Sequence, residues 1–152
     1  MKITIIFIAL LILVSCTPAL PSSSCNKISI DDVVTYKSQT IINKEDISKG
    51  RVQGTGSMLP IIPPHATILY VVPKNEEEIC VGDVVYYTPT QEDCGWLVKY
   101  DIKYDAVLHR VIEKRIDTDG EYFLLKGDSN GGQDPCKVRF KNIKQVMVGI
   151  IY

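Results

Sequence analysis

Ser57 stands in the run Gly54-Thr55-Gly56-Ser57-Met58-Leu59-Pro60, and His109 in Val107-Leu108-His109-Arg110-Val111-Ile112. Two carboxylates, Asp128 and Asp134, lie in one stretch that begins Lys126-Gly127-Asp128-Ser129-Asn130 and continues through Gly131-Gly132-Gln133. Taken singly these are a small-residue turn, a strand histidine and a polar loop. Taken together they hold the parts for acyl transfer. A serine hydroxyl is a weak nucleophile until a base takes its proton as it attacks. A neutral imidazole does this near pH 7, and a carboxylate on its far nitrogen fixes the tautomer and stabilises the imidazolium. The order Ser, His, Asp is one of several that reach this geometry. Asp128 opens the turn, where a carboxylate bonds loop amides. Asp134 follows Gly131-Gly132, which let the chain fold back, and precedes the stiff Pro135. The reading therefore assigns Asp134 to His109 and Asp128 to the loop, with Asp128 the runner-up for the acid.

The elements that must position these residues read as β. Ala66 to Val72 is strand-like and stops at Pro73, and Asp83 to Tyr87 is β-branched and aromatic before Pro89. Trp96 to Tyr104 alternates in part. Val107 to Ile116 alternates strongly, with Val107, His109 and Val111 on one face and Arg110 and Lys114 on the other. Glu121 to Leu125 and Gln145 to Tyr152 complete the set. Lys44 to Gly50 reads as a short helical turn, and Thr90 to Asp93, Asp117 to Gly120 and Ser129 to Pro135 read as turns. Ile28 to Ile42 shows no clean period. Short strands separated by turn signals predict a mostly β, antiparallel, barrel-like domain with short helical segments. Trp96, Tyr86 and Tyr87 suit either the core or the wall of a substrate cleft, with the core favoured, and His65, after Pro63-Pro64, is assigned to a solvated loop.

The chain has 152 residues, 45 % of them apolar and 23 % charged, a globular balance for one domain. Lys and Arg number 17 against 18 Asp and Glu, so there is no basic surplus for a phosphate backbone, and no nucleic-acid partner is expected. Two histidines are too few for a His-rich metal site, and no phosphate-cradling glycine loop is present, so neither metal nor cofactor is expected. The first residues follow another logic. Met1-Lys2 precedes an apolar run from Ile3 to Val14 that is short for a permanent span and reads as a secretory signal. Its end, Leu13-Val14-Ser15-Cys16, resembles the lipobox of lipoprotein signal peptides, which implies a diacylglyceryl group on Cys16 and cleavage just before it. Residues 1–15 are then the signal peptide, 16–27 the lipidated Cys16 and a Pro- and Ser-rich tether, and 28–152 the folded domain.

An exported chain meets an oxidising space, where Cys25, Cys80, Cys94 and Cys136 could pair in three ways. No C-x-x-C spacing is present, so a zinc ribbon or thioredoxin-like pair is not expected. The strand read between Cys80 and Cys94 would hold those two apart, and Cys136, in a long irregular loop, is the one most in need of a bridge.

Four motifs in order carry a resemblance: Ser57-Met58-Leu59-Pro60, Gly82-Asp83-Val84-Val85, His109-Arg110-Val111, and Lys126-Gly127-Asp128-Ser129-Asn130 with Asp134 six residues after Asp128. From about residue 51 to 152 the chain resembles the type I signal peptidases, in their archaeal and endoplasmic-reticulum branch. The resemblance implies a signal-peptidase catalytic fold, Ser57 as nucleophile, His109 as general base and Asp134 as the acid. It also implies an oxyanion site made by the Ser57 amide with the Thr55 hydroxyl. Ser129 departs from the Asn usual in that box, and a lipobox stands where the family usually has a transmembrane anchor. The function expected is a membrane-anchored serine endopeptidase acting on extended segments of exported or membrane precursor proteins. It would be held by lipid at the extracytoplasmic face of the cell membrane. Two rivals stand beside it: a catalytically inactive lipoprotein of the same fold that binds exported peptides, and a maturation protease dedicated to one partner.

Overall fold

The structure is a computed structural model that describes residues 33–36, 39–42, 46–94 and 106–151. The segment expected to be a signal peptide, Cys16, Cys25 and the strand expected over Trp96 to Tyr104 lie outside the described residues. Among the described residues are eight strands: β1 (Val33–Tyr36), β2 (Gln39–Ile42), β3 (Ser48–Arg51), β4 (Thr67–Val71), β5 (Val84–Tyr87), β6 (Val107–Asp117), β7 (Gly120–Lys126) and β8 (Ile143–Ile151). The first two pair with each other, and the other six form one antiparallel sheet in the order β3-β4-β8-β5-β6-β7.

The mostly β expectation holds, and the barrel does not. The edge strands β3 and β7 do not pair with each other. The outer side of β7 is met instead by an isolated bridge between Phe123 and Val138, which occupies the edge that closure would need. Two local readings are also corrected. The helical turn expected over Lys44 to Gly50 gives way to β3, where Ser48, Lys49 and Gly50 pair with Tyr70, Leu69 and Ile68. Sheet pairing overrides the weak local preference of so short a segment. Where a turn is expected over Thr90 to Asp93, Gln91–Cys94 form one turn of helix that brings Cys94 to Cys136.

Both faces of the sheet are apolar, because loops cover both. Val85, Tyr87, Val111, Leu125, Ile143 and Val146 lie in one cluster with Phe123 and Val138. Val84, Leu108 and Ile68 lie in the other, covered by Met58, Ile62 and Ala66 of the segment that carries Ser57. The side chains of a strand alternate between faces, so Val84 and Val85 feed opposite clusters, as do Leu108 and Val111.

The face assignment of β6 changes along its length. Val111 pairs with Leu125 but Glu113 pairs with Leu124, so one extra residue bulges out and the faces exchange. Lys114 was expected beside Arg110. It lies opposite Phe123 instead, with its Nζ 5.4 Å from the ring centroid.

Candidate active site

Ser57 sits on a tight turn between β3 and β4. Gly56 has φ +76°, a left-handed conformation that a side chain would strain. The Leu59 amide donates to the Gly56 carbonyl at 3.1 Å and the Ile62 amide to Met58 at 2.9 Å. Met58 and Ile62, 3 % and 1 % exposed, anchor this turn in the core beside Leu108 and Val84. The Ser57 hydroxyl is left half-buried, 3.2 Å from Thr55 Oγ1 and 3.1 Å from His109 Nε2. The Ser57 amide donates to Thr55 Oγ1 over a long 3.4 Å, so the two groups expected to form an oxyanion site are neighbours.

His109 is held on β6 at the point where pairing with β7 stops. That pairing runs from Arg110 opposite Lys126 to Asp117 opposite Gly120. Beyond Lys126 the chain leaves the sheet as the loop from Gly127 to Asp134, which turns back beside His109. Inside this space His109 is 8 % exposed and Asp134 9 %. The His109 Nδ1–H donates to Asp134 Oδ2 at 2.6 Å. Ser57, His109 and Asp134 are therefore brought into one hydrogen-bonded line. A hydroxyl, an imidazole and a carboxylate in this arrangement can pass the serine proton to Nε2 while the carboxylate faces the developing charge.

The loop is braced on three sides. Ser129 donates from its amide to the Ser57 carbonyl at 2.9 Å and from its hydroxyl to the Gly56 carbonyl at 2.9 Å. The same approach explains Gly127, where an added Cβ would lie 2.7 Å from the Ser57 carbonyl oxygen. Asp128 faces away from His109 and accepts both Nε and Nη2 of Arg110, at 2.8 and 2.7 Å. Arg110 also donates to the Gly82 carbonyl at 2.7 Å, so one guanidinium joins the Gly82-Asp83 turn to the loop. The paired carboxylate raises the Arg110 pKa further. The Asp134 amide donates to the Leu125 carbonyl at 2.7 Å, and two residues later Cys136 is bonded to Cys94. Cys80 is disulfide-bonded as well.

One residue near the site escaped the sequence reading. Tyr87, for which the core is favoured, is indeed 2 % exposed, yet its hydroxyl donates to Asp134 Oδ2 at 2.8 Å. Burial, and then the Asp134 charge, push its phenol far above the ordinary value. The alternation of β5 places Tyr87 on one face with Val85, but the sequence does not say that Asp134 comes to meet that face. Tyr86 points to the other side and lines a cleft of about 330 Å³ beside Ser57, with Val52, Gln53, Ile62 and Leu108. His65 is exposed in its loop, where its carbonyl accepts from Arg51 Nε at 3.2 Å. Comparison with known proteins gives no matching family model, no matching curated protein and no matching solved structure.

Proposed function

We propose that this chain is a serine endopeptidase of the type I signal-peptidase kind, with the corresponding catalytic fold. Its substrates would be extended segments of exported or membrane precursor proteins. The observation that carries the reading is the line Ser57 Oγ, His109 Nε2, His109 Nδ1 and Asp134 Oδ2, joined at 3.1 and 2.6 Å. The four ordered motifs support it, since each supplies a part of the site or its brace.

In the proposed reaction Ser57 Oγ bonds to the scissile carbonyl carbon as its proton passes to His109 Nε2. The carbonyl electron pair moves onto oxygen, where the Ser57 amide and the Thr55 hydroxyl turn to meet it. An oxyanion donor of this kind contributes about 3 kcal/mol. Collapse of the intermediate breaks the C–N bond, and the imidazolium gives its proton to the leaving amine. Water, deprotonated by the same imidazole, then cleaves the acyl ester and restores Ser57. The cleft beside Ser57, walled by Val52, Ile62 and Leu108, suits an extended peptide with small apolar side chains next to the cut. A lipid on Cys16 would hold this chemistry at the extracytoplasmic membrane face, where precursors emerge; two or more acyl chains anchor stably where one does not.

The test is incubation of the detergent-solubilised full chain with a panel of peptides carrying small residues before a potential cut, read by mass spectrometry. Cleavage that disappears in Ser57→Ala is expected. Binding of panel peptides without cleavage would favour the inactive peptide-binding reading instead.

A further inference from the structure

In the antiparallel register of β5 and β6, Val85 lies opposite His109 and Tyr87 opposite Val107. Opposite and diagonal residues of such a pair share a face, so Tyr87 is the diagonal neighbour of His109. Its hydroxyl donates to Asp134 Oδ2 at 2.8 Å, and the same oxygen accepts the His109 Nδ1–H at 2.6 Å. Resting on the peptidase reading above, we propose that Tyr87 is a positioning residue: its phenol fixes the Asp134 carboxylate in the orientation that holds His109 Nδ1–H and leaves Nε2 facing Ser57.

The argument starts from where Asp134 sits. Its amide is tied to the Leu125 carbonyl, which fixes the backbone but leaves the carboxylate two torsions to turn about. The carboxylate stands on a loop that ends in exposed Gly131, Gly132 and Gln133 on one side and exposed Pro135 on the other. A single bond to an imidazole that must itself take and give a proton is a weak restraint. Tyr87 supplies the second from a rigid place: β5 lies inside the sheet, and Tyr87 pairs with Val107 on β6 and Ile143 on β8. Supporting bonds from such fixed elements are what hold a reacting group within a fraction of an ångström.

The hydroxyl is costly as mere core. A phenylalanine would fill the same space among Val85, Ile143 and Val146 without a polar atom to satisfy. The tyrosine proton is also secure. Burial and the facing carboxylate hold the phenol far above its ordinary value, so it donates throughout the range in which an imidazole works as a base. Two donors on one oxygen divide its charge, which weakens each bond slightly. Loss of orientation outweighs that gain, because a displaced carboxylate lets His109 turn away from Ser57.

The full chain in detergent is treated with a fluorophosphonate, and the rate of adduct formation on Ser57 is read by intact mass. Wild type, Tyr87→Phe, Asp134→Asn and the double variant are compared. Wild type reacts at Ser57. Tyr87→Phe reacts about ten- to a hundredfold more slowly, the range usual for a lost supporting bond, with a melting temperature near that of wild type. In the Asp134→Asn background the same substitution changes little, since residues that act through one another are not additive. Proton NMR gives a spectroscopic reading. The His109 Nδ1 proton resonates far downfield in wild type, shows a cross-peak to the Tyr87 phenol proton, moves in Tyr87→Phe and is lost in Asp134→Asn. The wild-type cross-peak decides the geometry even if the phenylalanine chain folds poorly, and its absence would overturn the proposal. Equal rates for wild type and Tyr87→Phe, with Asp134→Asn slow, would overturn the role of Tyr87 and leave the peptidase reading intact. An equal slowing by Tyr87→Phe in both backgrounds would mark a structural effect and also overturn it. A wild-type chain inert to the reagent would overturn the peptidase reading and this proposal with it.

Discussion

Two aspartates six residues apart on one loop are held by different partners, and their substitution should separate. Asp134 accepts from His109 and Tyr87 and stands at the end of the line that begins at Ser57. Asp128 accepts twice from Arg110 and touches neither ring nitrogen of His109. On the proposed mechanism Asp134→Asn lowers kcat about a thousandfold or more, because an amide favours the wrong imidazole tautomer. Asp128→Asn removes one charge-assisted fork and destabilises the chain by roughly 1–3 kcal/mol, with a smaller effect on rate. Steady-state kinetics and thermal melts of the two variants check this; a reversed pattern would exchange the roles. The sequence allowed Asp134 to be set on His109 because two glycines precede it. It did not announce Arg110 as the partner of Asp128, since that bond depends on β6 turning Arg110 toward a loop 18 residues away.

At the scale of elements, β4 to β7 are legible because each alternates or is β-branched and ends at a proline or turn signal, and β8 is legible from its apolar, β-branched run. Val107 to Ile116 was read and Val107–Asp117 is found. What the pattern could not carry was non-local. The bulge after Val111 that moves Lys114 to the face of Phe123 depends on the partner strand. So does β3, a Ser-Lys-Gly-Arg segment that is a strand only because β4 lies beside it. The role of Gly127 belongs at this scale too. An added methyl would meet the Ser57 carbonyl and Asn130 Nδ2, each at 2.7 Å. Gly→Ala can stabilise by about 0.4–1 kcal/mol through the unfolded chain. Here the contact with a backbone oxygen that is itself hydrogen-bonded to Ser129 outweighs that gain. Gly127→Ala is expected to destabilise by about 1–3 kcal/mol and to slow any Ser57 chemistry by displacing the turn. A variant as stable and as active as wild type would show that the two segments can move apart freely.

For the whole molecule, the acid side of the stability curve should be shaped by a surface network as well as by the site. Arg139 bonds Asp117 at 2.7 Å and Lys137 bonds it at 3.1 Å, tying the segment after Cys136 to the β6–β7 hairpin. These bonds, Arg139 first, pull the Asp117 carboxyl down to about 2. A depressed carboxylate stabilises the fold in full above its ordinary range, near pH 4, and that contribution is lost as the pH falls toward 2. Glu92 beside Lys141 and Glu113 beside Arg115 shift in the same direction. Thermal melts from pH 5 to pH 2 should therefore fall, and Asp117→Asn should flatten part of that fall. An unchanged slope in Asp117→Asn would show that the network adds nothing to folding. Composition alone could place none of this, since a balanced count of charges does not say which are paired.

The central claim is that Ser57, activated by His109, takes up an acyl group. Mixing the full chain with an activated ester of a small-residue peptide, quenching in acid within the first turnover and measuring intact mass tests it most directly. The account predicts one acyl adduct, mapped to Ser57, that accumulates in wild type and is absent from both Ser57→Ala and His109→Ala. Ester hydrolysis with no adduct on Ser57, or an adduct that forms equally well without His109, would contradict it.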